Sequence, residues 1–190
     1  PPALLVGEPT YQDLAKGFPM GKRFKSSEVV RRSDANPVHL GHLHEADGRW
    51  RIYVFADGPG PDSALATWAN WQQSAPRSPV LRYNTADDDE AVLDVKVIYP
   101  QAHPGVDITA VPKVFLPSVG PFALTAYTKV FATSEADSMF VERQIDPAGA
   151  VVVVRPDQYV AAVLPLTQPE ALADFFDPIL LDPAAGAPDE

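Results

Sequence analysis

The chain has 190 residues, 46% of them apolar, which is enough for one domain with a hydrophobic core. The formal net charge of −10 argues against nucleic acid or an anionic lipid surface as partner, and no apolar run approaches the ~20 residues of a membrane helix. The absence of cysteine excludes disulfides, thiol nucleophiles and thiolate metal sites.

Residues 1–28 have weak hydrophobic periodicity and frequent Gly and Pro, which predicts an N-terminal arm or linker that lies over another part of the protein. The chain begins Pro1-Pro2-Ala3 without a signal-peptide pattern, so we expect a piece of a longer protein, located in the cytoplasm. A group of early basic residues indicates a solvated face or, alternatively, a surface that docks an acidic partner: Lys16, Lys22, Arg23, Lys25, Arg31 and Arg32.

Residues 29–181 are predicted to form one domain with a mixed sheet flanked by helices. Short strands are expected at 29–30 and 38–40, and the turn Asp47-Gly48 precedes a central strand at 49–56. A helix follows at about 63–73, capped by Asp62 or Ser63, with Leu65 and Trp68 facing inward.

The middle of the chain has weaker signals. Strands are predicted at 79–83, 93–99 and 139–145, and a short helix at 122–131. The acidic run 87–90 indicates a solvated loop. The proline-rich segment 100–122 is long for an insertion in a compact domain, which suggests that it covers a partner.

The end of the domain is the clearest part of the sequence. Consecutive valines at 151–154 predict a buried strand, and the turn 155–158 leads into a second, antiparallel strand at 159–164. Thr167 and Glu170 form a capping-box pattern for a closing helix, which Pro178 should end near Asp177. Residues 182–190 are expected to be a disordered tail.

Few residues suggest chemistry. The three histidines His39, His42 and His44 could form a zinc site, but surface or hydrogen-bonded histidines are the simpler interpretation. The segment 57–61 lies where a strand ends and a helix begins, yet it lacks a dinucleotide fingerprint or a phosphate-binding lysine. No serine has a G-x-S-x-G context, so a hydrolase triad is unsupported.

Three stretches resemble one family: 21–53 with Asn-Pro-Val-His-Leu-Gly-His at 36–42, 115–131, and 145–166 with Val-Val-Arg-Pro-Asp-Gln-Tyr-Val-Ala at 153–161. Together they are similar to the C-terminal domain of FAD-dependent phenol hydroxylases and 3-hydroxybenzoate 4-hydroxylases, over roughly residues 15–180. The family usually has an acidic residue before Lys129, where this chain has Thr128.

The resemblance implies a thioredoxin-like α/β domain that serves dimerisation. It places FAD, NAD(P)H and the catalytic residues in other domains of the parent enzyme, so no catalytic, cofactor-binding or metal-binding residue is carried over to this chain. The Cys-x-x-Cys of working thioredoxins is missing at 57–62, and Gly149 and Ala150 stand where a proline would precede the strand at Val151. Both changes predict a redox-inactive domain.

We therefore expect a structural domain that packs on the FAD-bearing domain of the same protein and forms a homodimer, without nucleic-acid or membrane partners. One alternative is that the chain is part of an intact FAD/NAD(P)H monooxygenase that hydroxylates a phenolic ring. Another is a stand-alone thioredoxin-like binding module. The residues that we expect at an interface are Arg23, Trp68, Trp71, Tyr127, Arg155 and Tyr159.

Overall fold

The computed structural model describes residues 6–84, 88–134 and 138–181. Within these residues, a seven-stranded mixed sheet has the order β2-β1-β7-β4-β3-β8-β9, and β5 and β6 form a separate two-stranded sheet. The strands are β1 Glu28–Arg31, β2 Pro37–His39, β3 Trp50–Phe55, β4 Leu93–Ala102, β5 Ser118–Val119, β6 Leu124–Thr125, β7 Val130–Thr133, β8 Ala150–Val154 and β9 Val160–Leu164. The helices are α1 Ala64–Ser74, α2 Pro79–Tyr83, α3 Met139–Glu142 and α4 Ala171–Phe176.

The centre of the sheet is β3, which pairs in parallel with β4 and antiparallel with β8. Ile52 lies opposite Val95 on one side and Val153 on the other. The β8–β9 hairpin belongs to this same sheet, as the valine run predicts, and the amide of Gln158 closes its turn on the carbonyl of Arg155 at 2.9 Å. Because β8 is buried on both faces, β-branched residues fit at every position.

The first face of the sheet is covered by α1, α2 and α4 and by the proline-rich segment. Trp68 of α1 stacks on Phe115 with ring centroids 6.2 Å apart, and Trp50 packs edge-on against Phe176 of α4. Short 3-10 turns at His103–Gly105, Ile108–Ala110 and Lys113–Phe115 bring Val106 and Phe115 into this core. The segment predicted to cover a partner thus covers part of its own domain.

The second face is covered by the N-terminal segment. Phe18 stacks on Phe24 at 4.7 Å, and Phe24 stacks on Tyr53 of β3 at 4.5 Å. The segment begins with a 3-10 helix, Pro9–Leu14, and approaches so closely at Gly17 that a Cβ there would lie 2.4 Å from the carbonyl oxygen of Arg143. The predicted arm therefore supplies buried core residues.

Three predicted elements have the wrong type. Residues 79–83 form α2 because Ser78 accepts a hydrogen bond from the amide of Leu81 and Pro79 occupies the first helical turn, where no amide is needed. Residues 139–142 form α3 instead of a strand. Residues 122–131 contain β6 and the start of β7 instead of a helix, since Val130 and Phe131 pair with β4.

The closing helix begins later than expected. Thr167 and Glu170 make no capping box: α4 starts at Ala171, and its N-cap Glu170 makes no side-chain capping bond. Pro165 and Pro169 keep the preceding residues out of the helix. The helix does end before Pro178, with Asp177 as its C-cap. The predicted tail 182–190 lies outside the described residues. Within the described residues, no helix is long and apolar enough to cross a membrane.

Candidate functional site

The turn after β3 lies at the edge of the sheet where the sequence lacks a Cys-x-x-Cys. The carboxylate of Asp57 accepts hydrogen bonds from the backbone amides of Ala64 at 2.8 Å and Leu65 at 3.1 Å. The Oγ of Ser63, the predicted cap, accepts one from the amide of Ala66 at 3.1 Å. A helix N-terminus stabilises negative charge, including that of a thiolate. Here that position is already occupied by a carboxylate of the chain itself.

Gly149 packs on this same edge from the side of β8. It has φ +77°, and a Cβ at this position would lie 2.6 Å from the carbonyl oxygen of Phe55 and 2.4 Å from a methyl carbon of Leu166. The turn 146–149 is closed by the amide of Gly149 on the carbonyl of Asp146 at 2.8 Å. Only glycine combines this backbone conformation with so close an approach.

A cleft of about 400 Å³ opens beside these residues. Its lining is almost entirely apolar, and Val141 at its rim is 80% exposed. Among the described lining residues, Asp57 is the only ionisable one, and its carboxylate already caps α1. These described residues can contact an apolar surface but provide no nucleophile or redox group. It is lined by Ala56, Asp57, Pro100, Phe140, Val141, Gln144, Ile145 and Pro147.

A buried cluster of charges lies on the second face of the sheet. Arg51 of β3 binds the carboxylate of Asp47 through two nitrogens, at 2.9 and 2.7 Å, and its Nε lies 3.0 Å from Oδ2 of Asp94. Asp94 also pairs with Lys96, and with Lys129 at 2.9 Å. Arg51, Asp94 and Lys96 are each at most 3% exposed. These three central residues are closed to solvent, so their role is structural.

The charges in this cluster perturb one another. Burial lowers the pKa of Lys96 to about 8. Burial by itself would raise the pKa of Asp94, but the ammonium groups of Lys96 and Lys129 outweigh it and hold that pKa below its ordinary value. Glu90 has a raised pKa, chiefly because it is buried, and its carboxylate lies 2.5 Å from Lys129. The prediction of a solvated acidic loop is therefore wrong for Glu90, and Lys129 has two acidic partners despite Thr128.

The three histidines do not converge. His44 lies with its Nε2 3.3 Å from the hydroxyl of Tyr53, and burial, followed by the charge of Arg51, lowers its pKa to about 4. The rings of His39 and His42 lie 5.1 Å apart near the surface. Across 6–84, 88–134 and 138–181, no three His, Cys, Asp or Glu residues are grouped as a metal would require.

Three of the expected interface residues lie together. Nη2 of Arg23 donates to Oε1 of Gln158 at 2.7 Å, and the guanidinium of Arg155 lies 5.9 Å from the ring centroid of Tyr159. Tyr159 is 42% exposed and bridges to Arg23 through the backbone. These residues surround the turn between β8 and β9, and their part in an interface stays a prediction.

The remaining candidates are separate from that group. Trp68 is only 1% exposed because it packs between the sheet and Phe115, so it cannot contact another chain without opening the core. Trp71 is half-buried on the same helix. Tyr127 is 45% exposed and follows the β5–β6 hairpin.

The β5–β6 hairpin carries exposed apolar residues that the sequence interpretation missed. Phe122 is 82% exposed, Leu124 64% and Val119 39%. A helix prediction for 122–131 hid them, because on a helix an apolar face would have been assigned to the core. Gly120 and Ala123 both have positive φ, which marks a turn. Only the glycine could have indicated this turn in the sequence, because glycine favours positive φ and alanine does not.

A family described as "Phenol hydroxylase, C-terminal dimerisation domain" matches residues 1–184. The chain is 42% identical to a 3-hydroxybenzoate 4-monooxygenase from Comamonas testosteroni over 184 residues, 93% of this chain and 29% of that protein. It is 28% identical to the FAD-dependent monooxygenase terD from Aspergillus terreus over 179 residues, 89% of this chain and 29% of that protein. The chain thus spans less than a third of the length of either relative.

Among solved structures, the chain is similar to the thioredoxin domain of a thiol-disulfide oxidoreductase from Bacteroides vulgatus. The TM-score is 0.50 at 8% sequence identity, and the alignment covers 83% of this chain and 98% of the other. This likeness shows the thioredoxin-like fold, as the sequence predicted.

Proposed function

Because the chain belongs to the family of phenol hydroxylase C-terminal dimerisation domains, we propose that it is a redox-inactive structural domain that self-associates and packs on the flavin-bearing part of an aromatic hydroxylase. The observation that carries this proposal is the family match over residues 1–184. The relatives' names supply the class of parent enzyme, a monooxygenase, and the alignment with this chain covers 29% of each relative.

The edge after β3 supports the absence of thiol–disulfide chemistry. The chain has no cysteine, and the carboxylate of Asp57 takes the amides of α1 that would stabilise a thiolate. Gly149 fills the facing turn. What remains of the edge is the apolar cleft beside Val141, a surface for contact.

The residues here do not fit FAD. A dinucleotide pyrophosphate binds at a helix N-terminus after a Gly-rich turn, and in this chain the N-terminus of α1 holds a carboxylate that would repel it. We therefore place FAD, NAD(P)H and the hydroxylation of a phenolic ring in the remainder of the parent protein. The net charge of −10 supports protein rather than nucleic-acid or membrane partners.

Sedimentation velocity of the 190-residue chain over a wide concentration range tests the proposal. We expect a dimer without flavin absorbance and without turnover in a disulfide-reduction assay. A chain that stays monomeric at every concentration and does not bind the flavin-bearing part of the parent would overturn it, as would measured turnover. A yellow preparation would instead favour the alternative in which this chain is part of a monooxygenase and is present together with a second chain that holds FAD.

A further inference from the structure

The exposed apolar residues of this protein concentrate on one small element. Val119, Phe122, Leu124 and Tyr127 lie in or directly after the β5–β6 hairpin, and each is at least 39% exposed. No Asp, Glu, Lys or Arg occurs between Lys113 and Lys129, although 21% of the chain is charged. Isolated exposed apolar residues are ordinary, but a contiguous uncharged group of them marks an interaction site.

The hairpin has little to hold it in the monomer. Among the residues that the structure describes, its two strands pair only with each other, through Ser118 with Thr125 and Val119 with Leu124. It is tied to the domain by the amide of Ser118, which donates to a carboxylate oxygen of Asp89 at 2.7 Å. Two-stranded hairpins are marginally stable in water. A second surface packed over the exposed side would stabilise this one.

A cleft of about 630 Å³ lies next to the hairpin. Leu81 of α2, at its rim, is 51% exposed. The projecting Phe122 and a recess therefore occur on the same face of the molecule. A two-fold symmetric interface uses the same surface on both subunits, so it must contain both a projection and a recess to receive it. The cleft is lined by residues that include Val80, Leu81, Lys113, Val114, Pro117 and Ala123.

The edges of the main sheet are unsuited to self-association. At one edge, the amide and carbonyl of Val160 in β9 bond to Lys22 at 2.9 Å and Gly21 at 2.8 Å. At the other edge, β2 is three residues long and begins with Pro37. Covered, short and proline-containing edges prevent strand addition. Two copies therefore do not associate by adding a strand to the main sheet.

We propose that the hairpin surface, residues 118–127 with the cleft at Leu81, is the site where a second copy of this chain docks, with Phe122 of each copy entering the cleft of the other. This inference rests on the proposed function, which supplies the partner. Two chains of net charge −10 repel each other, and residues 114–128 add no charge to the contact, while Asp89 and Lys113 in the cleft carry one charge of each sign.

Sedimentation velocity of a Phe122→Asp/Leu124→Asp variant tests the site against a matched Leu181→Asp variant, since Leu181 is 93% exposed and lines neither the cleft at Leu81 nor the one at Val141. Buried aromatic anchors dominate interfaces, so we expect the hairpin variant to raise the dimer dissociation constant at least about 30-fold and the control variant to leave it unchanged. Circular dichroism and thermal unfolding identify any variant that is misfolded.

A cross-linking measurement does not depend on those variants. Because the chain has no cysteine, Pro121→Cys and Leu81→Cys each introduce a single thiol, and Pro121→Cys keeps the neighbouring Phe122 in place. With a short bis-maleimide, the mixture of the two proteins should give covalent dimer in excess of either protein alone.

Failure of the site can be told apart from failure of the proposed function. A wild-type dimer that survives the hairpin substitutions and yields no mixed cross-link overturns the hairpin site but leaves dimerisation standing. A hairpin variant that still dimerises but no longer binds the flavin-bearing part also overturns it, because the occupant is then another domain. A monomeric wild-type chain contradicts both.

Discussion

Arg51 and Asp94 are direct neighbours on the parallel strands β3 and β4, and their charged groups lie 3.0 Å apart inside the protein. Both side chains are at most 3% exposed. Asp94 is also the shared partner of Lys96 and Lys129. One carboxylate therefore contacts three buried or nearly buried cations, and its loss would leave the buried Lys96 without its ion-pair partner, while Arg51 keeps Asp47 and Lys129 keeps Glu90.

We predict that Asp94→Asn lowers the free energy of unfolding by ~3–5 kcal/mol, the usual cost of breaking a buried ion pair. Urea unfolding followed by circular dichroism measures this loss. Asp157→Asn is the control, because Asp157 pairs with Arg155 at the surface and such pairs contribute ~1 kcal/mol or less. Equal losses in the two variants would show that the buried ion pairs of Asp94 stabilise the protein no more than the surface pair of Asp157.

His44 should make stability depend on pH. Its pKa in the folded protein is lowered to about 4 from an ordinary 6.5, so between these values the unfolded chain binds a proton that the folded chain does not. Stability from this group is present above pH 6.5 and is lost as the pH falls towards 4. Wild type should therefore lose stability relative to His44→Gln over that range. If the free energy of unfolding fell equally in the two proteins between pH 6.5 and 4, the assignment to His44 would be refuted.

Gly149→Ala should destabilise the protein more than Gly48→Ala. Both glycines have φ near +78°, so both alanines acquire backbone strain of ~1–2 kcal/mol. A Cβ at 149 additionally meets Leu166 at 2.4 Å, whereas one at 48 has nothing within 4 Å. We expect a further ~1–3 kcal/mol at 149 from overpacking, measured by thermal unfolding. Similar losses at both sites would mean that the turn before β8 relaxes freely.

Asp57→Ala should lower the free energy of unfolding by ~0.5–2 kcal/mol, because two amides at the start of α1 lose their acceptor. Asp62→Ala, one residue before the cap Ser63, should change it by ~0.5 kcal/mol or less, as exposed loop substitutions do. Denaturant titration compares the two. If Asp62→Ala were the more harmful change, the capping role of Asp57 would be refuted.

Local signals in the sequence were sufficient for the β8–β9 hairpin and for the central strand. Four consecutive valines exclude most alternatives to a buried strand, and Pro156 and Asp157 mark the turn. At 79–83 the same kind of reasoning failed, because five apolar-rich residues fit a strand or a helical turn equally well. Ser78 followed by Pro79 was the deciding signal, and it is a helix start.

The charged cluster and the burial of the arm depended on pairing that no local pattern reveals. Arg51 meets Asp94 only because β3 and β4 are adjacent in this register, 43 positions apart in the sequence. Phe18 stacks on Phe55 of β3 with ring centroids 5.6 Å apart, although glycine and proline around Phe18 suggest a loop. In both cases side chains with weak local preferences were placed by long-range contacts.

The packing of Phe18 and Phe24 on Tyr53 also limits where this protein can be truncated. A shortened version beginning at Glu28 keeps every strand of the sheet but strips the aromatic cover from one side of it. Such a fragment would expose the apolar second face of the sheet to water and tend to aggregate. Expression boundaries for the isolated domain therefore belong before Pro9, ahead of the first turn that positions this aromatic stack.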